Sequence, residues 1–196
     1  MAYRSPRDAE ADGAPVYSLP ARRFHWWTAL LVVIMIPLGK IMSDDDNPFK
    51  FTDATVGRLN SAHKLIGFII LWMVAARLVY RVRHGAPASV ATLTPLEKGA
   101  SHATHWLLYA LLLAMPLGGW IGVSMYGARD IFGLFSLPQI APVNQKLSET
   151  VFTLHGYGAW AIVLLAGLHI AGALFHHFIK KDGVLRRMLP GVGGAE

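Results

Sequence analysis

Nine histidines and no cysteine stand in a chain of 196 residues. Imidazole is the commonest metal ligand among side chains. The missing thiols exclude disulfides, iron–sulfur clusters, thiolate zinc sites, a cysteine nucleophile and thioether-linked haem. A metal held by this chain is therefore held by His, carboxylate or Met. Spacing singles out some of the nine. His155 and His169 are separated by 14 residues, as are His63 and Arg77. On an α-helix such a pair returns to one face within about 40° and lies about 21 Å apart along the axis. A single helix face then presents two imidazoles at two depths.

The elements that must carry these residues follow from composition. The chain is 54% hydrophobic and 15% charged, with a mean hydropathy of +0.40, where soluble domains carry roughly 25% charge. Four segments are poor in Asp, Glu, Lys and Arg: Phe24 to Gly39, Leu59 to Tyr80, Gly99 to Ala128 and Thr150 to Ile179. The last two lack formal charge throughout and are long enough to cross about 30 Å of hydrocarbon. The expected fold is an all-α membrane protein, a bundle of four transmembrane helices over about 21–42, 59–83, 99–126 and 150–179. This transmembrane domain, 21–182, is flanked by a polar flexible tail at 1–20 and a C-terminal tail at 183–196. Pro37 and Pro116 fall inside helices, which a membrane span tolerates.

The net charge of +6 and pI near 9.8 raise the question of nucleic acid. The positive-inside rule answers it. With both termini cytoplasmic, twelve of the 18 basic residues fall on the inner side, among them Arg22, Arg23, Arg77, Arg81, Arg83, Lys180 and Lys181. Acidic residues split evenly, so the whole surplus lies inside, beside lipid headgroups. The charge reports orientation in a membrane, and nucleic acid is not an expected partner.

In that topology His25 lies near the inner interface and His63 near the outer one. His155 is level with His63, and His169 with His25. Two facing histidines at each of two levels suit two non-covalent six-coordinate haems stacked along a bundle. A zinc site wants three or four ligands, and neither level offers a third on the same face. His105 competes with His25 at the inner level, because His25-Trp26 with Pro37-Leu38-Gly39 is echoed by His105-Trp106 with Pro116-Leu117-Gly118. Arg77, at inner depth, is a candidate for a haem propionate; the competing reading has it snorkelling to headgroups beside Arg81 and Arg83. His102, His105 and His176 are candidates for propionate or quinone contacts, against solvation at the interface. No catalytic residue is assigned.

Certain stretches resemble the bacterial cytochrome b561 family, small four-helix di-haem membrane cytochromes related to the b-type subunits of nickel hydrogenases. They are Arg23-Phe24-His25-Trp26, Asn60-Ser61-Ala62-His63-Lys64-Leu65-Ile66-Gly67, His102-Ala103-Thr104-His105, Leu154-His155-Gly156, Gly167-Leu168-His169, and Lys181-Asp182-Gly183-Val184-Leu185-Arg186-Arg187-Met188-Leu189-Pro190. The resemblance covers about residues 17–190. It implies that His25 and His169 hold the iron of an inner haem b and His63 and His155 that of an outer one. It also implies electron transfer between a donor and the quinone pool, with ubiquinone as acceptor. Some relatives oxidise superoxide; others anchor dehydrogenases or hydrogenases beside a periplasmic or membrane redox partner. Asp44-Asp45-Asp46 and a neutral outer face give a superoxide anion no global steering, leaving Lys40, Arg58, Lys64 and Arg129 as a local funnel.

Overall fold

The computed structural model describes residues 16–43 and 51–189. The expected segments 1–15 and 190–196, and the Asp44-Asp45-Asp46 run, lie outside them. Four long helices follow one another: α1 (Leu19–Ser43), α2 (Asp53–His84), α3 (Pro95–Tyr126) and α4 (Gln145–Phe175). A short antiparallel hairpin, β1 (Asp130–Ile131) and β2 (Phe135–Ser136), sits between α3 and α4. All four helices are long and apolar enough to span a membrane. Large apolar side chains such as Trp72, Trp160 and Leu164 point outward, as a bundle solvated by hydrocarbon requires.

Three helices begin earlier than hydropathy places them. α2 starts at Asp53 rather than 59, because Thr52 caps it by accepting from the Thr55 amide. α3 starts at Pro95 rather than 99, behind a capping box of Thr94 and Glu97. α4 starts at Gln145 rather than 150, where Asn144 accepts from the Leu147 amide. Hydropathy marks where hydrocarbon begins, while capping marks where the helix begins. At 32 residues, α2 and α3 reach about 48 Å and project beyond the apolar slab. Both stop at a glycine of positive φ, Gly85 (73°) and Gly127 (93°), a conformation a Cβ resists.

Between the two ends the bundle packs on Ile70, Val74 and Tyr109, with Leu31, Met35 and Leu112 against them. The β1–β2 hairpin closes one end. Ile131 is fully buried, the Phe132 amide donates to the Ser61 hydroxyl at 3.1 Å, and the Lys64 ammonium donates to the carbonyls of Ala128 (2.9 Å) and Asp130. The hairpin thus ties α2 to the end of α3.

At the opposite end the chain departs from the expected tails. Residues 16–18 and 183–189 are not free of the bundle: the Tyr17 amide donates to the Arg187 carbonyl. Arg22 donates to the Leu189 carbonyl at 3.0 Å and the Trp26 indole to that of Met188 at 2.7 Å. Arg187, buried, donates to the Ala88 carbonyl at 2.8 Å. Their polar composition hides this, because the bonds satisfy backbone carbonyls far away in sequence. Arg187→Ala is expected to cost about 1–3 kcal/mol, read as a lower thermal unfolding midpoint in detergent. Arg186→Ala, at an exposed neighbour, leaves the midpoint in place.

Candidate functional site

All four helices contribute at two depths, each through residues 14 apart: His25 and Gly39 on α1, His63 and Arg77 on α2, His105 and Gly119 on α3, His155 and His169 on α4. Because α1 and α3 run opposite to α2 and α4, this one spacing sorts them into two layers. The layer near the chain termini holds His25, Arg77, His105 and His169; the layer near the hairpin holds His63, His155, Gly39 and Gly119.

In the hairpin layer the imidazoles of His63 and His155 face each other with ring centres 6.1 Å apart. Nδ1 of each is buried without a hydrogen-bond partner among the described residues; the Met115 carbonyl acts on His155 without an aligned bond. A buried nitrogen left unpaired is costly unless something else takes its lone pair or proton. The backbone of the two remaining helices closes on these rings. A Cβ on Gly39 would lie 3.2 Å from Cε1 of His63, and one on Gly119 3.1 Å from Cε1 of His155.

In the terminal layer the His25 and His169 rings are 6.0 Å apart. His105 and His169 are closer, at 5.1 Å, and the His105 Nδ1–H donates to the Ser101 carbonyl at 2.6 Å. A metal bound between two imidazoles at about 2 Å from each nitrogen sets the ring centres about 6 Å apart. The pairs His63–His155 and His25–His169 match that separation. The His105 and His169 ring centres lie about 1 Å inside that separation, in edge contact with each other. Among the described residues no three of His, Cys, Asp and Glu gather to hold a metal ion. Paired imidazoles, orphaned Nδ1 atoms and side-chain-free backbone opposite them fit a planar macrocycle with two axial histidines.

The Arg77 guanidinium lies 5.3 Å from the Tyr109 ring centre, and Arg81 approaches the same ring at 5.8 Å. Its 14-residue interval from His63 on α2 sets Arg77 at the depth of the terminal layer. The other expected contacts lie farther out. His102 is exposed. His176 is buried in a short π-helical turn, His176–Lys180, that follows α4. There its Nδ1 is 2.7 Å from Asp182 Oδ2, while Lys180 bridges to Glu97 at 2.7 Å. Its neighbours are carboxylates, and they fasten the end of α4 to the start of α3.

Gly39 and Gly119 are the residues the sequence reading passes over. Other helix glycines divide: a Cβ at Gly156, Gly167 or Gly172 would meet nothing within 4 Å, one at Gly67 would touch Met35, and one at Gly158 would strike the flexible Met115 side chain. The signal that finds the right ones is the 14-residue interval, counted from His25 and His105 as it is from His63 and His155.

The family described as prokaryotic cytochrome b561 matches residues 16–191 of the chain. Cytochrome b561 homolog 2 of Escherichia coli (strain K12) is 30% identical over 174 residues, 88% of this chain and 90% of that protein. The probable superoxide oxidase of Yersinia pestis is 29% identical over 181 residues, 89% and 96% of the two chains. Cytochrome b562 of Cereibacter sphaeroides is 26% identical over 175 residues, again 89% and 96%.

Proposed function

This chain belongs to the prokaryotic cytochrome b561 family of electron-transferring, haem b membrane cytochromes, and from that premise we propose that it carries two haems and passes single electrons from superoxide to ubiquinone. His63 and His155 hold the haem near the hairpin, and His25 and His169 the one near the termini. The observation that carries this reading is the pair of imidazole couples 6.0 and 6.1 Å apart, on helices whose remaining members offer glycine at one level and Arg77 at the other. The bound haem iron supplies one-electron exchange between ferric and ferrous states. Each couple of histidines would take both protein-supplied ligand positions of a bound haem, which would then supply electron transfer without binding donor or acceptor at the metal. Ile70, Val74 and Tyr109 form the buried core of the bundle.

The positive-inside rule supports cytoplasmic termini and a hairpin on the periplasmic face of the inner membrane, a topology that puts twelve of the 18 basic residues inside. The balanced reaction takes two superoxide anions, one ubiquinone and two protons to two dioxygen molecules and one ubiquinol. Similarity to the probable superoxide oxidase of Yersinia pestis supports superoxide as donor. A second reading, a membrane-anchor cytochrome subunit inactive alone, is favoured by a specific feature of the outer face. Lys64 spends its donors on the Ala128 and Asp130 carbonyls, and Arg129 donates to that of Leu137 at 2.8 Å. Two cations of the expected funnel are thus built into the hairpin.

The purified protein, given a steady enzymatic flux of superoxide and a short-chain ubiquinone, is expected to reduce its haems and form quinol in proportion to superoxide consumed. Haems that stay oxidised under that flux, yet reduce with dithionite, establish the anchor reading instead.

A further inference from the structure

At the end carrying the termini, a pocket is lined by Tyr17, Arg77, Tyr80, Arg81, Tyr109 and Met188. Arg77 and Arg81 stand one turn apart on α2, on the same side. Both guanidiniums lie over the single ring of Tyr109, and each acts on the other electrostatically. Neither makes an ion pair among the described residues. Among the described residues, two carboxylates of this end are engaged elsewhere, Glu97 with Lys180 and Asp182 with His176. Two half-buried like charges facing one aromatic ring repel one another, and a π-face offsets that only in part. The arrangement calls for anionic oxygen, which guanidinium forks bind in bidentate fashion.

The pocket adjoins the terminal histidine layer: Arg77 belongs to that layer through its 14-residue interval from His63 on α2, and Arg81 stands one turn beyond it. The docked segment closes its other side through Tyr17 and Met188, and the same segment accepts the indole N–H of Trp26, the neighbour of His25. We infer that Arg77 and Arg81, braced by Tyr109, form a carboxylate clamp for the propionates of the haem held by His25 and His169. This inference rests on the di-haem reading. A phospholipid headgroup shares the anionic chemistry, but only a propionate is tied covalently to a group bound in the adjoining layer.

The clamp is tested on the detergent-purified holoprotein by optical redox titration of wild type, Arg77→Gln, Arg81→Gln and the double variant. A lost positive charge favours the ferric state. Each single change is expected to shift the reduction equilibrium of one haem severalfold towards ferric, and the double change about tenfold, which is about 59 mV for one electron. The other haem keeps its potential, and Arg81→Lys restores part of the shift. Should a variant lose haem, redox-difference infrared spectra of Arg81→Lys, produced with haem isotopically labelled at the propionate carboxyls, report directly on them; a displaced carboxylate band supports the clamp. Unmoved potentials and unmoved carboxylate bands overturn it, as does a loss of co-purifying lipid phosphate with both potentials unchanged. A wild-type protein without haem overturns the parent reading instead.

Discussion

His169→Ala is expected to leave a protein that binds one haem, with the His63–His155 haem unchanged in spectrum and potential. His25→Ala gives the same product, while His63→Ala and His155→Ala give its mirror image. The two couples belong to different pairs of helices, α1 with α4 and α2 with α4, and residues 14 apart on α4 lie about 21 Å apart. Removing one ring therefore withdraws one of two axial ligands at one level and leaves the other level intact. Haemochrome quantification against protein, with reduced-minus-oxidised spectra, reads the ratio falling from about two to about one. His105→Ala separates the close contact from the ligand. Its ring centre is 5.1 Å from that of His169, so its loss relaxes packing and retains both haems. Retention of both haems by His25→Ala together with loss by His105→Ala reverses that assignment, and equal loss of both haems from every single change removes the two-layer arrangement.

Those layers were legible because they follow from periodicity. The four spans, their order and the 14-residue intervals are local properties of the chain, and helix geometry converts them into faces and depths. Helix starts were less legible, since Thr52, Thr94 and Asn144 act through hydrogen bonds that hydropathy ignores. Contacts between distant parts were hidden altogether. Nothing around Arg187 announces that it donates to Ala88, or around Lys64 that it holds the carbonyls of the hairpin. His176 looks like any interfacial histidine until the turn after α4 brings Asp182 to 2.7 Å. Arg81 reads as one of several basic residues near a headgroup layer, and only its placement over Tyr109 beside Arg77 distinguishes it from Arg83. For Arg187, Lys64 and His176 the chain ends or loops supply the partner, and for Arg81 a second helix does; in each case tertiary contacts rather than local pattern bring the two together.

Gly119→Leu is expected to expel the haem near the hairpin while the one near the termini stays. The α3 backbone approaches His155 so closely that even a single Cβ would lie 3.1 Å from its Cε1, and the α1 backbone does the same to His63 at 3.2 Å from a Cβ on Gly39. An imidazole free at its far end could swing aside by a few tenths of an ångström. One held by a metal on one side and by its own helix on the other has little such freedom, so the added atom displaces the ligand or the helix. Overpacking of this kind costs about 1–3 kcal/mol, roughly tenfold to a hundredfold in haem retention. Gly119→Ala and Gly39→Ala lie at the low end, visible as faster haem transfer to apomyoglobin, and the leucine variants lie beyond the high end. Gly118→Ala is the internal control: one residue away on the same helix, its Cβ would meet nothing within 4 Å. Replacing Gly by Ala there raises helix propensity by about 1 kcal/mol and leaves both haems bound. A Gly118→Ala variant that loses haem as readily as Gly119→Ala ties the effect to α3 as a whole. Loss confined to Gly119 and Gly39 makes the two bare stretches of backbone part of the site, as necessary to it as the histidines they face.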